Sequence, residues 1–243
     1  MSSLLIPVAP FSTTKSRLRD CFSAEQRKHF TIAMFKDLIN TLVEVNCFKH
    51  KIVYCNAPEI LELAEENGLI GIKEELSDSP KSFDEVINEF NEIAVDRFNA
   101  KQTTIAFLDL ILIQAKNLYE VDTLIQKNQL VICPAIRSAG ISILSRNPPD
   151  IISTFFSDPN TPSLIALLSK ASKNDISKIF IYDSFRAGFD MDLKQDLVLA
   201  YEYLKIFNLR DTHVFTFLKN NLKLSFKKKN MNDNRDFEIL ERK

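Results

Sequence analysis

An α/β fold built on a mostly parallel sheet is what this sequence predicts. Three features carry the prediction: short apolar runs of strand length, stretches of helical period between them, and helix-start signals at the joints. The chain of 243 residues suits one large α/β domain or two small ones, and its 45% hydrophobic content is enough for a real core.

The elements follow in order. Ser3 to Val8 reads as a short buried strand, followed by the polar loop Phe11-Ser-Thr-Thr-Lys-Ser-Arg-Leu18. Ser23-Ala-Glu-Gln26 has the form of a capping box, and Phe30, Met34, Leu38, Leu42 and Val45 then recur at helical spacing. Lys51 to Cys55 is a second strand. Pro58 opens a helix that stops near Asn67-Gly68. A second capping box, Ser82-Phe-Asp-Glu85, starts a helix whose apolar face is Phe83, Val86, Ile87, Phe90, Ile93 and Phe98. Thr103 to Leu108 is a strand, Leu118 to Lys127 a helix, and Leu130 to Cys133 and Ile141 to Leu144 are strands. Asn147 to Pro162 is a loop, Leu164 to Ser172 a helix, Lys178 to Tyr182 a strand and Leu193 to Phe207 a helix. Strands alternating with helices call for a sheet covered on both faces. Residues 1–208 form this domain. Residues 209–243 read as a C-terminal appendage in which Leu222 to Lys227 and Asp236 to Leu240 pair as a hairpin across Lys228 to Asn234.

Composition narrows the function. A net charge of −1 gives no reason to expect nucleic acid or an anionic membrane as partner, and the Lys227-Lys228-Lys229 run lacks interleaved aromatics. No charge-free stretch has transmembrane length. Cys21, Cys47, Cys55 and Cys133 show no metal spacing, and the N-terminus lacks signal-peptide character, so a cytoplasmic protein with reduced thiols is expected. His29, His50 and His213 stand apart from other reactive groups, which argues against a histidine-based nucleophilic triad.

In an open parallel sheet, ligands bind beyond the carboxyl ends of the strands, so polar residues just after apolar runs are the candidates. Lys15-Ser16-Arg17 follows the first strand and precedes a helix, a setting for a phosphate, although without the glycines of a Walker A loop. Asp109 sits inside Ile105-Ala-Phe-Leu-Asp-Leu-Ile-Leu-Ile113 and must lie at a strand end, be paired, or bind a metal. Asp190-Met-Asp192 places two carboxylates one residue apart ahead of a helix, where they can share a hard cation or cap that helix.

The opening Leu5-Ile-Pro-Val-Ala-Pro-Phe-Ser-Thr-Thr-Lys-Ser-Arg-Leu18 with Phe22-Ser-Ala-Glu-Gln-Arg27, and the closing Ile181-Tyr-Asp-Ser-Phe-Arg-Ala-Gly-Phe-Asp-Met-Asp192, resemble the 2-phospholactate guanylyltransferases over roughly residues 4–207. The resemblance implies a Rossmann-like, three-layer, GT-A-like nucleotidyltransferase fold with a mostly parallel mixed sheet. It implies GTP as donor, magnesium as cofactor and a small phosphorylated carboxylic acid as acceptor. Asp109, Asp190 and Asp192 match the family's metal-binding aspartates, and Lys15, with Arg17 beside it, its phosphate-binding lysine. Nucleotide and acceptor contacts would fall on Lys15, Ser16, Arg17, Asp84, Gly140 and Ser163. The chain departs from the family at Ala9, where a lysine is usual, at Ser82-Phe-Asp84, at Ile111, and at Ala139-Gly140-Ile141, where the family has Gly-Thr-Asn.

The implied activity is guanylyl transfer from GTP to 2-phospholactate or phosphoenolpyruvate with release of pyrophosphate, in deazaflavin coenzyme (F-420) biosynthesis. Two alternatives stand beside it: a nucleotide- or partner-binding relative without turnover, and a sugar-nucleotide glycosyltransferase, in which Asp-x-Asp also occurs. Neither nucleic acid nor membrane is expected as partner, and a homodimer is compatible with the sequence.

Overall fold

The computed structural model describes residues 2–75, 79, 81–228 and 235–241, with side chains within that set as far as residue 222. Its centre is a seven-stranded sheet in the order β3-β2-β1-β4-β6-β5-β7. The strands are β1 (Ser2–Pro7), β2 (His50–Cys55), β3 (Ile70–Lys73), β4 (Gln102–Ala106), β5 (Leu130–Pro134), β6 (Ile141–Arg146) and β7 (Ile179–Ile181). All neighbours pair in parallel except β6, which is antiparallel to both β4 and β5. The short link 135–140 explains this, because a parallel return needs a crossover of a dozen or more residues.

Alternation along the strands divides the core. In β1, Leu4 and Ile6 point to one face and Leu5 to the other. The first face is covered by α1 (Ala24–Val43), α2 (Pro58–Glu66) and α4 (Ala115–Ile125), which bring Phe35, Leu38, Ile60 and Val121. The second is covered by α3 (Phe83–Phe98) and α5 (Ser163–Lys173), which bring Ile87, Phe90 and Leu167. Both expected capping boxes form: Ser23 accepts from Gln26 N while the Gln26 side chain accepts from Ser23 N, and Ser82 and Glu85 do the same. Two glycines have clear backbone duties. Gly68 ends α2 at φ +72. A Cβ on Gly188 would lie 2.6 Å from the Pro134 carbonyl, so the one-turn helix α6 (Phe185–Gly188) can approach β5 only with glycine there.

Several elements were not expected from the sequence. β3 is a short edge strand whose residues are only half buried, so its apolar run is weak. Asp109, by contrast, takes one of the settings expected for it, just past the end of β4 in a turn, although the apolar run continues through Ile113. A third cluster joins α7 (Lys194–Ile206) and α8 (His213–Asn221) to the start of α1 through Phe22, Phe30, Met34, Leu197, Leu204 and Leu218. Asp37 fixes α8 by accepting from His213 N and Val214 N, each at 2.8 Å. Beyond α8, β8 (Leu222–Lys228) and β9 (Arg235–Glu241) pair antiparallel. The expected turn between them, including Lys229, lies outside the described residues. Among the described residues no helix is long and apolar enough to cross a membrane.

Candidate active site

Strand order reverses at β1, with β2 on one side and β4 on the other. Such a switch point opens a crevice at the carboxyl ends of the strands. Here it is a cavity of about 730 Å³. Of the residues singled out from the sequence, Lys15, Ser16, Arg17, Asp109, Gly140, Ser163, Asp190 and Asp192 all line it.

Lys15 is its centre. After β1 the chain turns, Thr13 N and Thr14 N both donating to the Pro10 carbonyl, and Thr14 Oγ1 hydrogen-bonds Thr31 of α1. Lys15 then adopts φ +46, ψ +40, a left-handed conformation that costs a non-glycine residue about 1 kcal/mol. In this conformation the ammonium points inward, where Nζ donates to Asp109 Oδ2 at 2.8 Å, Asp192 Oδ1 at 3.0 Å and the Met191 carbonyl at 2.7 Å. All three of its donors are thus used. Burial pulls the Lys15 pKa down, but the charges of Asp109 and Asp192 outweigh it and leave the pKa raised. The largely exposed Arg17 adds a 3.0 Å contact to Asp192 Oδ2. Burial acts to raise the Asp192 pKa, but Lys15 and then Arg17 outweigh it and hold that carboxyl below its usual range.

Asp190 is in the opposite position. Burial, then the charges of Asp109 and Asp192, push its carboxyl up to about 6. Asp190 Oδ1 and Asp109 Oδ1 are both buried and accept no hydrogen bond from any described residue. The 189–193 segment that presents Asp190 and Asp192 is fixed at both ends. Gly188 O accepts from Ile136 N, and Asp196 Oδ2 accepts from Asp192 N at 3.1 Å and Leu193 N at 2.7 Å. Arg137 Nε in turn lies 3.1 Å from Asp196 Oδ1.

The three aspartates expected to hold a cation therefore do converge, but the Lys15 ammonium bridges two of them. Among the described residues no group of three potential metal ligands is pre-assembled. The donor set still fits a hard cation: carboxylate oxygens, two of them buried without a donor, and one carboxyl whose charge is disfavoured as the site stands.

The far wall is apolar. Phe83, Phe107 and Phe156 contact one another at 5.3 to 5.9 Å between ring centroids, flanked by Ile141 and Pro162. Gly140 and Ser163 reach the cavity on this side, from the link before β6 and from the first turn of α5. Asp84 departs from its expected role. It is not among the lining residues; its carboxylate accepts from Thr154 Oγ1, Phe156 N and Ser157 N and ties the 147–162 loop to α3. It acts on the cavity through Phe156. None of His29, His50 and His213 lines the cavity. Sequence reasoning missed the aromatic wall because its rings come from three separate segments, and it missed Arg137 because an isolated basic residue in a loop carries no pattern.

The fold and the sequence both have relatives. A solved structure of a candidate nucleotide-diphospho-sugar transferase from Desulfovibrio desulfuricans G20 superposes with a TM-score of 0.70 at 14% identity, over 90% of this chain and 94% of that one. The 4-diphosphocytidyl-2C-methyl-D-erythritol synthase from Anaerococcus prevotii superposes with a TM-score of 0.58 at 9% identity, over 84% and 96%. At these identities the likeness shows the fold alone, a Rossmann-like nucleotidyltransferase architecture. The 2-phospho-L-lactate guanylyltransferase of Methanocaldococcus jannaschii is 27% identical over 195 residues, 80% of each chain. The model of the family described as "Guanylyl transferase CofC like" matches residues 2–239. The motif at Lys15, the paired aspartates before α7 and a match spanning nearly the whole sequence lead to one conclusion: the chain belongs to the CofC-like guanylyl transferase family.

Proposed function

We propose that this protein transfers GMP from GTP to a small phosphorylated carboxylic acid, 2-phospholactate or phosphoenolpyruvate, as a step in making a deazaflavin coenzyme. One observation carries the reading: Lys15, Asp109, Asp190 and Asp192, distant in sequence, meet at the β1/β4 switch point. An oxygen of the acceptor's phosphate attacks the α-phosphorus of GTP. The bond from that phosphorus to the oxygen bridging it to the β-phosphate breaks, and pyrophosphate leaves. The attacking oxygen is already anionic, so the reaction needs no protein base, in keeping with a cavity that no histidine lines.

What remains for the chain is charge neutralisation and alignment. Asp109, Asp190 and Asp192 would hold magnesium, which supplies Lewis-acid stabilisation of phosphate charge when bound. Lys15 already joins the loop after β1 to both carboxylate segments, and can shift its ammonium from carboxylate to phosphate oxygen without leaving the site. Arg17 lies at the open mouth, placed to meet the outer phosphates. The apolar wall with Gly140 and Ser163 takes the acceptor's carbon skeleton and its carboxylate.

Pyrophosphate release from GTP with magnesium and a panel of phospho-acids tests the proposal. Wild type should release pyrophosphate with at least one acid, and Asp190→Asn combined with Asp192→Asn should lower the rate by about a hundredfold or more. Equal rates in the two proteins would refute the assignment of these aspartates.

A further inference from the structure

A second cavity, of about 320 Å³, adjoins the first and shares Pro7, Ala9, Thr13 and Phe83 with it. It lies at the carboxyl ends of β1, β2 and β3, so the two cavities form one trough across the top of the sheet. Its walls are mostly apolar: Pro7, Val8, Pro10, Tyr54 and Val86. Its size and lining are those of a small-molecule site with a few placed polar groups.

One of those polar groups is Glu74, directly after β3. Its backbone N–H donates to the Cys55 carbonyl at 2.8 Å, which holds the residue against β2. Only 8% of its surface is exposed, yet its side chain lines this cavity. The nearby Lys81 ammonium is engaged elsewhere, by Glu89 Oε2 at 2.5 Å and the Glu75 carbonyl at 3.2 Å. Burial raises the Glu74 pKa, with Lys81 opposing and Glu89 adding to the rise. A mostly buried carboxylate facing an apolar cavity favours a ligand that brings hydrogen-bond donors.

We infer that Glu74 selects the base of the nucleotide, accepting hydrogen bonds from N1–H and the 2-amino group of guanine while Tyr54, Val86 and Phe83 enclose the ring. Guanine alone among the common bases presents two adjacent donors on that edge, which suits the two oxygens of one carboxylate. Adenine, cytosine and uracil each turn at least one acceptor toward it. The trough would then hold the base at the β2/β3 end and the phosphates at Lys15. The inference rests on the guanylyl-transfer reading and adds which residue makes the nucleotide a guanine nucleotide.

The test is a comparison of GTP, ITP and inorganic triphosphate binding, by calorimetry with magnesium, to wild type and to Glu74→Gln. ITP keeps N1–H but lacks the 2-amino group. Wild type should prefer GTP over ITP by about tenfold, the loss expected for one charge-assisted hydrogen bond. In Glu74→Gln that ratio should fall to near one while triphosphate affinity stays the same. A wild-type ratio near one overturns the inference and leaves the transferase reading intact, and so does a ratio that Glu74→Gln does not change. A wild type that binds no triphosphate at all overturns both. The wild-type ratio needs no variant, so misfolding of Glu74→Gln cannot hide the answer.

Discussion

The two sides of the main cavity are held together in different ways. The charged side is cross-linked over long stretches of chain, since Lys15 bonds residues 94, 176 and 177 positions away. The opposite side is a wall of three rings from three segments, of which Phe156 is held by the 147–162 loop and Asp84. Loss of one charge on the first side leaves others buried without compensation. Loss of a ring on the second leaves only space. On the proposed function, the chemistry common to the reaction class would sit where substitution is least tolerated, and the contacts that distinguish one acceptor from another where the fold resists change least. Of the positions where the chain differs from the family pattern, Ala139 and Ile141 flank Gly140 on the wall side, while Ala9 lines the cavity in the loop that leads to Lys15.

Lys15→Met is the strongest way to break the comparison. It keeps most of the side chain's length and apolar stem but removes the charge that offsets Asp109 and Asp192. Stability should fall by about 3 kcal/mol, the low end for breaking a buried ion pair, because Asp192 is 38% exposed. Pyrophosphate release should fall by about a hundredfold or more. Urea denaturation and a steady-state assay read the two effects. A variant as stable as wild type would mean that the carboxylates do not depend on this lysine.

Asp84→Ala probes the wall side. Three hydrogen bonds to the 147–162 loop are lost, for about 2 kcal/mol of stability. The cost to function should be selective. Phe156 loses its anchor, so KM for the phospho-acid should rise several-fold while KM for GTP stays near wild type. An equal rise in both would erase the proposed distinction between the two sides of the cavity.

Much of this was legible in the residues themselves. Capping boxes at Ser23 and Ser82 and the period of Phe30, Met34 and Leu38 are local signals, and the helices they announce form as expected. Polar residues directly after apolar runs pointed to Lys15, Asp109 and Asp190, because a parallel sheet gathers its strand ends whatever the sequence distance. The antiparallel β6 was implicit in the shortness of the link 135–140 but has no residue signature. Helix α8 did carry one, Thr212 as N-cap with Val214, Phe215 and Leu218 behind it, yet its partner Asp37 lies far away in α1. The aromatic wall and Glu74 were not legible at all. Each depends on which segments the fold sets side by side, and neither has a spacing to betray it. Lys15 also takes a position that the sequence suggested for a cation, since spacing cannot say whether carboxylates meet a metal or an ammonium first.

The smallest effect is the most specific to the charged side. Asp190 has a folded-state pKa of about 6, above its ordinary value of 3.8. Between those values the folded protein holds a proton that the unfolded chain has released. Stability from this group is therefore fully present below about 4, falls as pH rises toward 6 and is level above that. Glu74 and Asp37, whose pKa values are also raised, slope the same way, so the difference between two proteins is the useful quantity. With a chelator present, Asp190→Asn should show a shallower decline in melting temperature from pH 4 to 6 and melt a few degrees above wild type at pH 7. Magnesium should then close that gap by stabilising wild type and leaving the variant nearly unmoved, because the ion favours the charged form that the site alone disfavours. Parallel melting curves across this range would show that Asp190 carries no excess charge cost, and the contrast between a strained charged rim and a passive wall would lose its physical basis.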